Sequence, residues 1–241
     1  MSEEAEKLKS FISEAARIVF FGGAGVSTSS GIPDFRGTYG LFQKEKGISY
    51  EEMLSHEHFT QKPEDFFDFY THCMLYPEAK PNGAHRAVAE LERCGKLTCV
   101  VTQNIDGLHT LAGNTNVIEL HGSAHRNTCT KCGALYGMER ILSADGGVPF
   151  CSCGGIIKPD VVLYGESLNE EEMRRAVKYI SECDLLIVAG TSLVVYPAAG
   201  FVRYAQGKMV LINRDVTAYD SYADLVIHED LSRVLEEAVF H

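Results

Sequence analysis

No apolar run in this chain is long enough to cross a bilayer. The longest, such as Ile18 to Phe21 and Leu185 to Ala189, fall far short of the roughly 20 residues a membrane helix needs. An excess of positive charge is missing too. The 22 basic side chains are outnumbered by 33 acidic ones, and a formal charge of −11 repels phosphate backbones. Neither nucleic acid nor a membrane is therefore expected as a partner. No secretory leader is expected either: Met1 to Lys9 carries three glutamates and two lysines with no apolar stretch behind a basic head, so a cytoplasmic chain is expected. In that compartment eight cysteines point to metal ligands or buried thiols rather than disulfides. Internal repeats and low-complexity tracts are lacking as well. What is present is ample for a core. The 241 residues are 45% hydrophobic and 23% charged, the material of one large domain or of a core domain with a smaller insert.

Apolar residues Leu8, Phe11, Ile12, Ala15 and Ala16 recur at helical spacing, and the short run Ile18 to Phe21 behind them reads as a strand. The alternation returns along the chain. Strands are expected at Leu97 to Thr102, Val117 to Leu120, Leu185 to Ala189, Met209 to Ile212 and Leu225 to Ile227. Helices are expected near Ala84 to Leu91, Glu170 to Ile180, Ala198 to Ala205 and Leu231 to Val239. Such alternation predicts an α/β fold with a parallel sheet. Asn169 with Glu172 resembles a capping box, and Asp230 is placed to cap the last helix. Two stretches break the rhythm, Thr38 to Lys80 and Ala124 to Gly155, and both read as inserts forming a smaller second domain.

Four groups of residues carry candidate chemistry. Gly23-Ala24-Gly25-Val26-Ser27 directly follows a strand and fits either a plain turn or a nucleotide loop whose backbone N–H groups approach a pyrophosphate. A dehydrogenase fingerprint would need a third glycine where Thr28 stands, and an acidic strand end about 20 residues on. Instead Gly31-Ile32-Pro33-Asp34-Phe35-Arg36-Gly37 follows, offering a carboxylate, an aromatic face and a permanent cation. Thr102-Gln103-Asn104-Ile105-Asp106-Gly107 ends a second strand, where Asn and Asp can bind a ribose or carboxamide or can simply build a turn. His121 repeats that placement at a third strand end, as a structural histidine or as a base working near neutral pH.

The cysteines give the strongest signal. Cys129-x-x-Cys132 and Cys151-x-Cys153 are separated by 18 residues, close to a four-cysteine zinc pattern. Four thiolates would close the coordination shell, leaving a structural metal with no position for an activated water. Cys73, Cys94, Cys99 and Cys183 are scattered and read as buried small apolar residues, while His56 and His58 read as part of a solvated loop.

In their order, these motifs and Gly190-Thr191-Ser192-Leu193-Val194-Val195-Tyr196-Pro197 resemble the sirtuin family of NAD-dependent protein lysine deacylases, in its minimal bacterial-type catalytic core, from about Ile18 to the carboxyl terminus. The resemblance implies a Rossmann-like domain (1–37, 81–123 and 156–241) and a small domain made of a helical module (38–80) and a zinc ribbon (124–155), with NAD and substrate in the cleft between. It further implies one structural zinc on Cys129, Cys132, Cys151 and Cys153. Cofactor contacts would come from Gly23, Ala24, Gly25, Ser27, Thr28, Asp34, Phe35 and Arg36, then from Gln103, Asn104, Ile105, Asp106 and His121, and from Gly190, Thr191, Ser192 and Asn213. Catalysis would rest on His121 and Asn104. In the family the acyl oxygen attacks the nicotinamide-ribose carbon, nicotinamide leaves, and the histidine acts as base so that the ribose 2′ oxygen attacks the resulting imidate.

Val162-Leu163-Tyr164-Gly165-Glu166 and Leu193-Val194-Val195 resemble the two edges that clamp a substrate peptide as an added strand. The expected partners are thus acetyl-lysine proteins or peptides. Family members preferring succinyl or malonyl groups carry Tyr-x-x-Arg, whereas here Tyr70 is followed by Cys73 and no arginine occurs between Arg36 and Arg86. A neutral acyl group, acetyl first, is expected. Rivals are an NAD-dependent mono-ADP-ribosyltransferase on the same fold, a non-enzymatic NAD sensor or zinc-ribbon binding module, and a hydride-transfer dehydrogenase.

Overall fold

A computed structural model describes residues 2–34 and 48–241. Its strands are β1 (Ile18–Gly22), β2 (Leu97–Thr102), β3 (Val117–Glu119), β4 (Gly122–Cys129), β5 (Leu135–Tyr136), β6 (Ile157–Val161), β7 (Leu185–Ala189), β8 (Lys208–Ile212) and β9 (Leu225–Ile227). The α-helices are α1 (Glu3–Glu14), α2 (Tyr50–Met53), α3 (His56–Gln61), α4 (Pro63–Phe69), α5 (Gly83–Arg93), α6 (Leu108–Ala112), α7 (Met138–Leu142), α8 (Glu170–Glu182) and α9 (Leu231–Phe240). Six strands form a parallel sheet in the order β3-β2-β1-β7-β8-β9, and β5-β4-β6 form a small antiparallel sheet. The strands expected from sequence and the α/β class are all found.

Every residue of β1 and β7 is buried, the signature of strands covered on both faces. Alternate residues divide between two apolar layers. Ile18, Phe20, Leu185 and Ile187 pack with Leu8 of α1, Val88 of α5 and Val234 of α9. Val19, Phe21, Leu186 and Val188 pack instead with Ala176 and Ile180 of α8 and with Phe201 of the 3-10 segment Ala198–Tyr204. The period of two in the strand thus sets which helices cover which face.

Helix ends follow local chemistry. The Asn169 side chain accepts from the N–H groups of Glu171 and Glu172, and Asp230 accepts from Arg233 N–H, so both expected caps form. Glu172 turns outward to Arg175 at 3.0 Å. A reciprocal capping box appears at Asn82 and His85, which opens α5. At the other end of α1 the Lys96 ammonium donates to the carbonyls of Ile12, Ser13 and Ala15 at 2.8, 2.9 and 3.0 Å, a cation on the negative end of a helix.

A third apolar cluster joins Phe59, Phe66, Phe67 and Tyr70 to Ile141, Ile157 and Leu163, so helices α3 and α4 pack on the small sheet. Phe66 is stacked on Tyr70 with centroids 5.6 Å apart and meets Phe67 edge-on at 5.2 Å. Two sequence expectations fail here. His58 lies buried on α3 rather than in a solvated loop, next to Phe59, whose ring anchors this helix on Phe66 and Phe67. Cys94, expected to be buried, is exposed at the end of α5 beside Glu90.

The chain leaves the large sheet through Gly122. This residue has φ +78°, and a Cβ there would sit 1.9 Å from the Asp160 carbonyl oxygen on β6. Gly122→Ala is therefore expected to cost at least about 2 kcal/mol of stability, read as a lower urea midpoint with an unchanged slope. An unchanged midpoint would show that the β4–β6 pairing yields to the side chain.

Candidate active site

The loops that follow β1, β2, β3, β7 and β8 all emerge from the carboxyl edge of the parallel sheet and line one cleft of about 640 Å³. β1 stands between β2 and β7, so the loops on its two sides diverge from it in opposite directions. Open α/β sheets bind ligands at such a switch point.

The loop after β1 is held by the loop after β7. Gly25 N–H donates to the Gly190 carbonyl at 2.8 Å. A Cβ on Gly23 would lie 2.7 Å from Thr191 Cβ, one on Gly25 2.8 Å from Gly190 Cα, and one on Gly190, at φ +60°, 2.5 Å from Val26 N. The three glycines interlock because their backbones touch. Ala24, Gly25, Ser27 and Asp34 line the cleft, as do Gly190, Thr191 and Ser192. Gly23 packs behind this surface, and the Thr28 hydroxyl folds back onto the Gly25 carbonyl at 3.0 Å. Phe35 and Arg36 lie outside the described residues.

A hydrogen-bonded row crosses the cleft floor. The Ser27 hydroxyl donates to Asp106 Oδ2 at 2.6 Å and accepts from Asn104 Nδ2 at 3.0 Å. The other Asp106 oxygen accepts from Leu108 N–H at 2.9 Å, and Gln103 Nε2 donates to Thr191 Oγ1 at 3.2 Å. Two polar clusters far apart in sequence are thus one surface. Ile105 completes it, and Asn213 lines the far side with Asp215 and Val216. Asn213 Nδ2 donates to the Asp215 carbonyl at 2.7 Å, which folds that loop.

His121 stands beside this row. Its Nδ1 lies 2.9 Å from the Gln103 carbonyl oxygen, which can only accept, so Nδ1 carries the proton and Nε2 keeps its lone pair. Burial pushes the imidazole below the ordinary histidine range, against the opposing pull of the Gln103 carbonyl. A neutral imidazole with a bare nitrogen in a cleft has the form a general base needs.

Val162, Leu163, Tyr164 and Gly165 form one wall, and Val162 N–H donates to the His121 carbonyl at 2.9 Å. Opposite them Val195 lines the cleft. Leu193, with φ +53°, is buried in the apolar layer beneath, and Val194 is exposed. Two residues passed over in the sequence lie close by. His85 and His109 pack ring to ring at 4.8 Å under the cleft floor, and burial holds both neutral. Their spacing of 24 residues, on two helices, gives no local signal.

On the small sheet the sulfurs of Cys129, Cys132, Cys151 and Cys153 lie within 4.8 Å of one another. Cys129 and Cys153 are 3.5 Å apart, and Cys132 and Cys151 3.7 Å. A tetrahedral zinc with bonds of about 2.3 Å sets its sulfurs about 3.8 Å apart, so the four fit that ion, the tighter Cys-x-Cys pair included. Tyr136 donates its hydroxyl to Cys151 Sγ at 3.0 Å, and Lys131 N–H reaches Cys129 Sγ at 3.4 Å. Such donors favour thiolates and steady a bound metal.

Comparison with known proteins agrees with this geometry. The family model described as the Sir2 family matches residues 23–197. A protein of Clostridium acetobutylicum named NAD-dependent protein deacetylase is 53% identical over 241 residues, covering 98% of each chain. The solved complex of a Sir2 protein with a p53 peptide and NAD+ superposes with a TM-score of 0.86 at 36% identity, covering 98% of this chain and 96% of that one. A Sir2 variant with a deacetylated p53 peptide and 3′-O-acetyl ADP-ribose gives a TM-score of 0.89 at 36% identity, covering 97% of this chain and 96% of that one. With its parallel sheet, its four-cysteine ribbon and the cleft that holds His121, the chain belongs to the Sir2 family, the sirtuins.

Proposed function

We propose that this protein is an NAD-dependent protein lysine deacetylase, converting acetyl-lysine, NAD and water into lysine, nicotinamide and O-acetyl-ADP-ribose. The observation that carries the reading is His121: a half-buried imidazole whose Nδ1 is tied to a carbonyl and whose Nε2 is bare, beside the Asn104–Ser27–Asp106 row. His121 draws a proton from a ribose hydroxyl, and the Gln103 carbonyl steadies the cation that forms. Asn104 is fixed by its own bonds to Thr102 and Ser27, so its amide is oriented before substrate arrives.

Gln103, Ile105 and Asp106 hold the ribose and nicotinamide end of NAD. Ala24, Gly25, Ser27 and Arg36 take the phosphate and cofactor-loop positions, with Gly23, Thr28 and Asp34 in the same loop; Phe35 and Ile105 shield the reactive carbon, Gly190, Thr191 and Ser192 hold phosphate or adenosine, and Asn213 meets the adenosine ribose. Val162 to Gly165 and Leu193 to Val195 clamp an acetylated protein or peptide. Zinc, held by the four cysteines, cross-links the ribbon and takes no part in the reaction. We assign residues 1–37, 81–123 and 156–241 to the NAD-binding domain and residues 38–80 and 124–155 to the small domain. Among the described residues no helix is long and apolar enough to cross a membrane. We place the enzyme in the cytoplasm, with acetylated proteins as substrates.

Mass spectrometry of an acetyl-lysine peptide incubated with and without NAD tests the assignment. Free lysine and O-acetyl-ADP-ribose appearing only with NAD are expected. ADP-ribose attached to protein over an unchanged peptide would replace the reading with a mono-ADP-ribosyltransferase.

Acyl preference follows from the lining. Among the described residues of the cleft His121 is the only basic side chain, so a succinyl carboxylate would be desolvated without a cation. An acyl panel is expected to show succinyl-lysine cleaved at least about 100-fold more slowly than acetyl-lysine, the cost of a few kcal/mol of uncompensated charge. Equal rates would contradict it.

A further inference from the structure

We propose that Glu166, the last residue of the segment that resembles a peptide-clamping edge, is a positioning residue whose side chain holds that wall in its receptive conformation. The proposal rests on the reading of 162–165 as one edge of the peptide clamp. Glu166 lies at the end of that wall, and its side chain is only 22% exposed. One carboxylate oxygen is 2.8 Å from His56 Nδ1 at the start of α3. The other accepts from Leu163 N–H at 3.0 Å and from Lys158 Nζ of β6 at 3.2 Å. A single carboxylate thereby ties the wall to the helical segment on one side and to the small sheet on the other.

The backbone bonds of the wall run in the same directions. Tyr164 N–H donates to the Leu54 carbonyl at 3.0 Å, His56 N–H donates to the Tyr164 carbonyl at 2.9 Å, and Glu166 N–H closes a turn onto the Leu163 carbonyl at 2.9 Å. At its other end the wall is bonded to His121 through Val162. A segment that accepts a peptide as an added strand must present its backbone groups in line, and ordering it beforehand removes that entropy from the binding step. Glu166 supplies the order. Burial raises its carboxyl pKa, but bonds from Leu163 N–H, His56 and Lys158 outweigh that and keep it ionised.

Glu166→Gln keeps the shape and breaks the arrangement. Turned toward Leu163 N–H and Lys158, the amide NH2 would meet two donors; turned toward His56, it is accepted only if that ring carries its proton on Nε2. In both orientations the negative charge that pairs with Lys158 is lost.

The test compares a short acetyl-lysine peptide with acetyl-lysine that has no flanking residues, on the zinc-loaded full chain. Wild-type protein is expected to prefer the peptide. In Glu166→Gln the peptide KM rises about tenfold with kcat held within about twofold, while kcat/KM for free acetyl-lysine and KM for NAD stay unchanged. His56→Ala, at an exposed ring, moves the peptide KM in the same direction by about threefold and serves if the first variant does not fold. Equal losses of kcat on both substrates, or an unchanged peptide KM in a folded variant, would overturn the role of Glu166. A wild-type enzyme indifferent to flanking residues would instead remove the clamp itself, a different failure.

Discussion

His121→Ala lowers deacetylation by about 10²- to 10⁴-fold, the range a positioned general base supplies, while NAD and the acetylated peptide continue to bind. The site explains the split. His121 lies beside the Asn104–Ser27–Asp106 row and is absent from it, so removing the imidazole leaves that network and the Gln103–Thr191 bond in place. Product formation by mass spectrometry and binding by calorimetry check the two halves separately. The pH profile is a second readout. The base acts in its neutral form, and burial lowers its pKa. Activity therefore falls as pH drops through a value below the roughly 6.5 of an ordinary histidine, and it is on its plateau at pH 7. Substantial turnover by the alanine variant, or an acid limb lying above 6.5, would remove His121 from the role of base.

Stripping zinc collapses the small sheet and inactivates the enzyme. Structural zinc sites of this type contribute about 10–16 kcal/mol of apparent binding energy that is also folding energy. The ribbon has little else to hold it, since β5 is two residues long and the cysteines lie on two turns, 129–133 and 151–154, that come together at one place. The third apolar cluster leans on it: Phe66, Phe67 and Tyr70 pack against Ile141, Ile157 and the two buried cysteines. Chelation is expected to lower the melting temperature by on the order of 10 °C, raise binding of a hydrophobic dye and abolish deacetylation, with most of the helical signal retained by the large sheet and its helices. Cys151→Ala, which also removes the acceptor of the Tyr136 hydroxyl, should fail to keep zinc through dialysis. A metal-free protein with full activity would show that the cysteines pack without a structural ion.

The sequence made some of this legible because the determinants are local. Ile18 to Phe21 and Leu185 to Ala189 read as strands on composition alone, since both faces of each are covered. The caps Asn169 and Asp230 and the cysteine spacing likewise act within a few residues or a single hairpin. What stayed hidden depends on long-range contact. The glycines of the first loop fit either a plain turn or a phosphate-binding loop. Their closest demand is the Gly190 backbone, which no spacing rule connects to position 25. His58 looked solvated because a polar residue on a short helix gives no sign of which face α3 turns inward. Cys94 looked buried on composition, yet it falls where α5 ends in solvent. Glu166 could be placed at the end of the peptide wall, but its partners His56 and Lys158 come from elements on two sides of it.

The pairing of Gly122 with Val161 has a consequence for how such a protein changes over generations. The outgoing and returning stems of the ribbon are neighbours, so any length of chain spliced between them begins and ends at the same spot. Insertions and deletions beyond the stems are absorbed at the far end. His121 sits one residue before the outgoing stem and is insulated from them. A ribbon longer or shorter than this one would therefore leave the position of His121 unchanged.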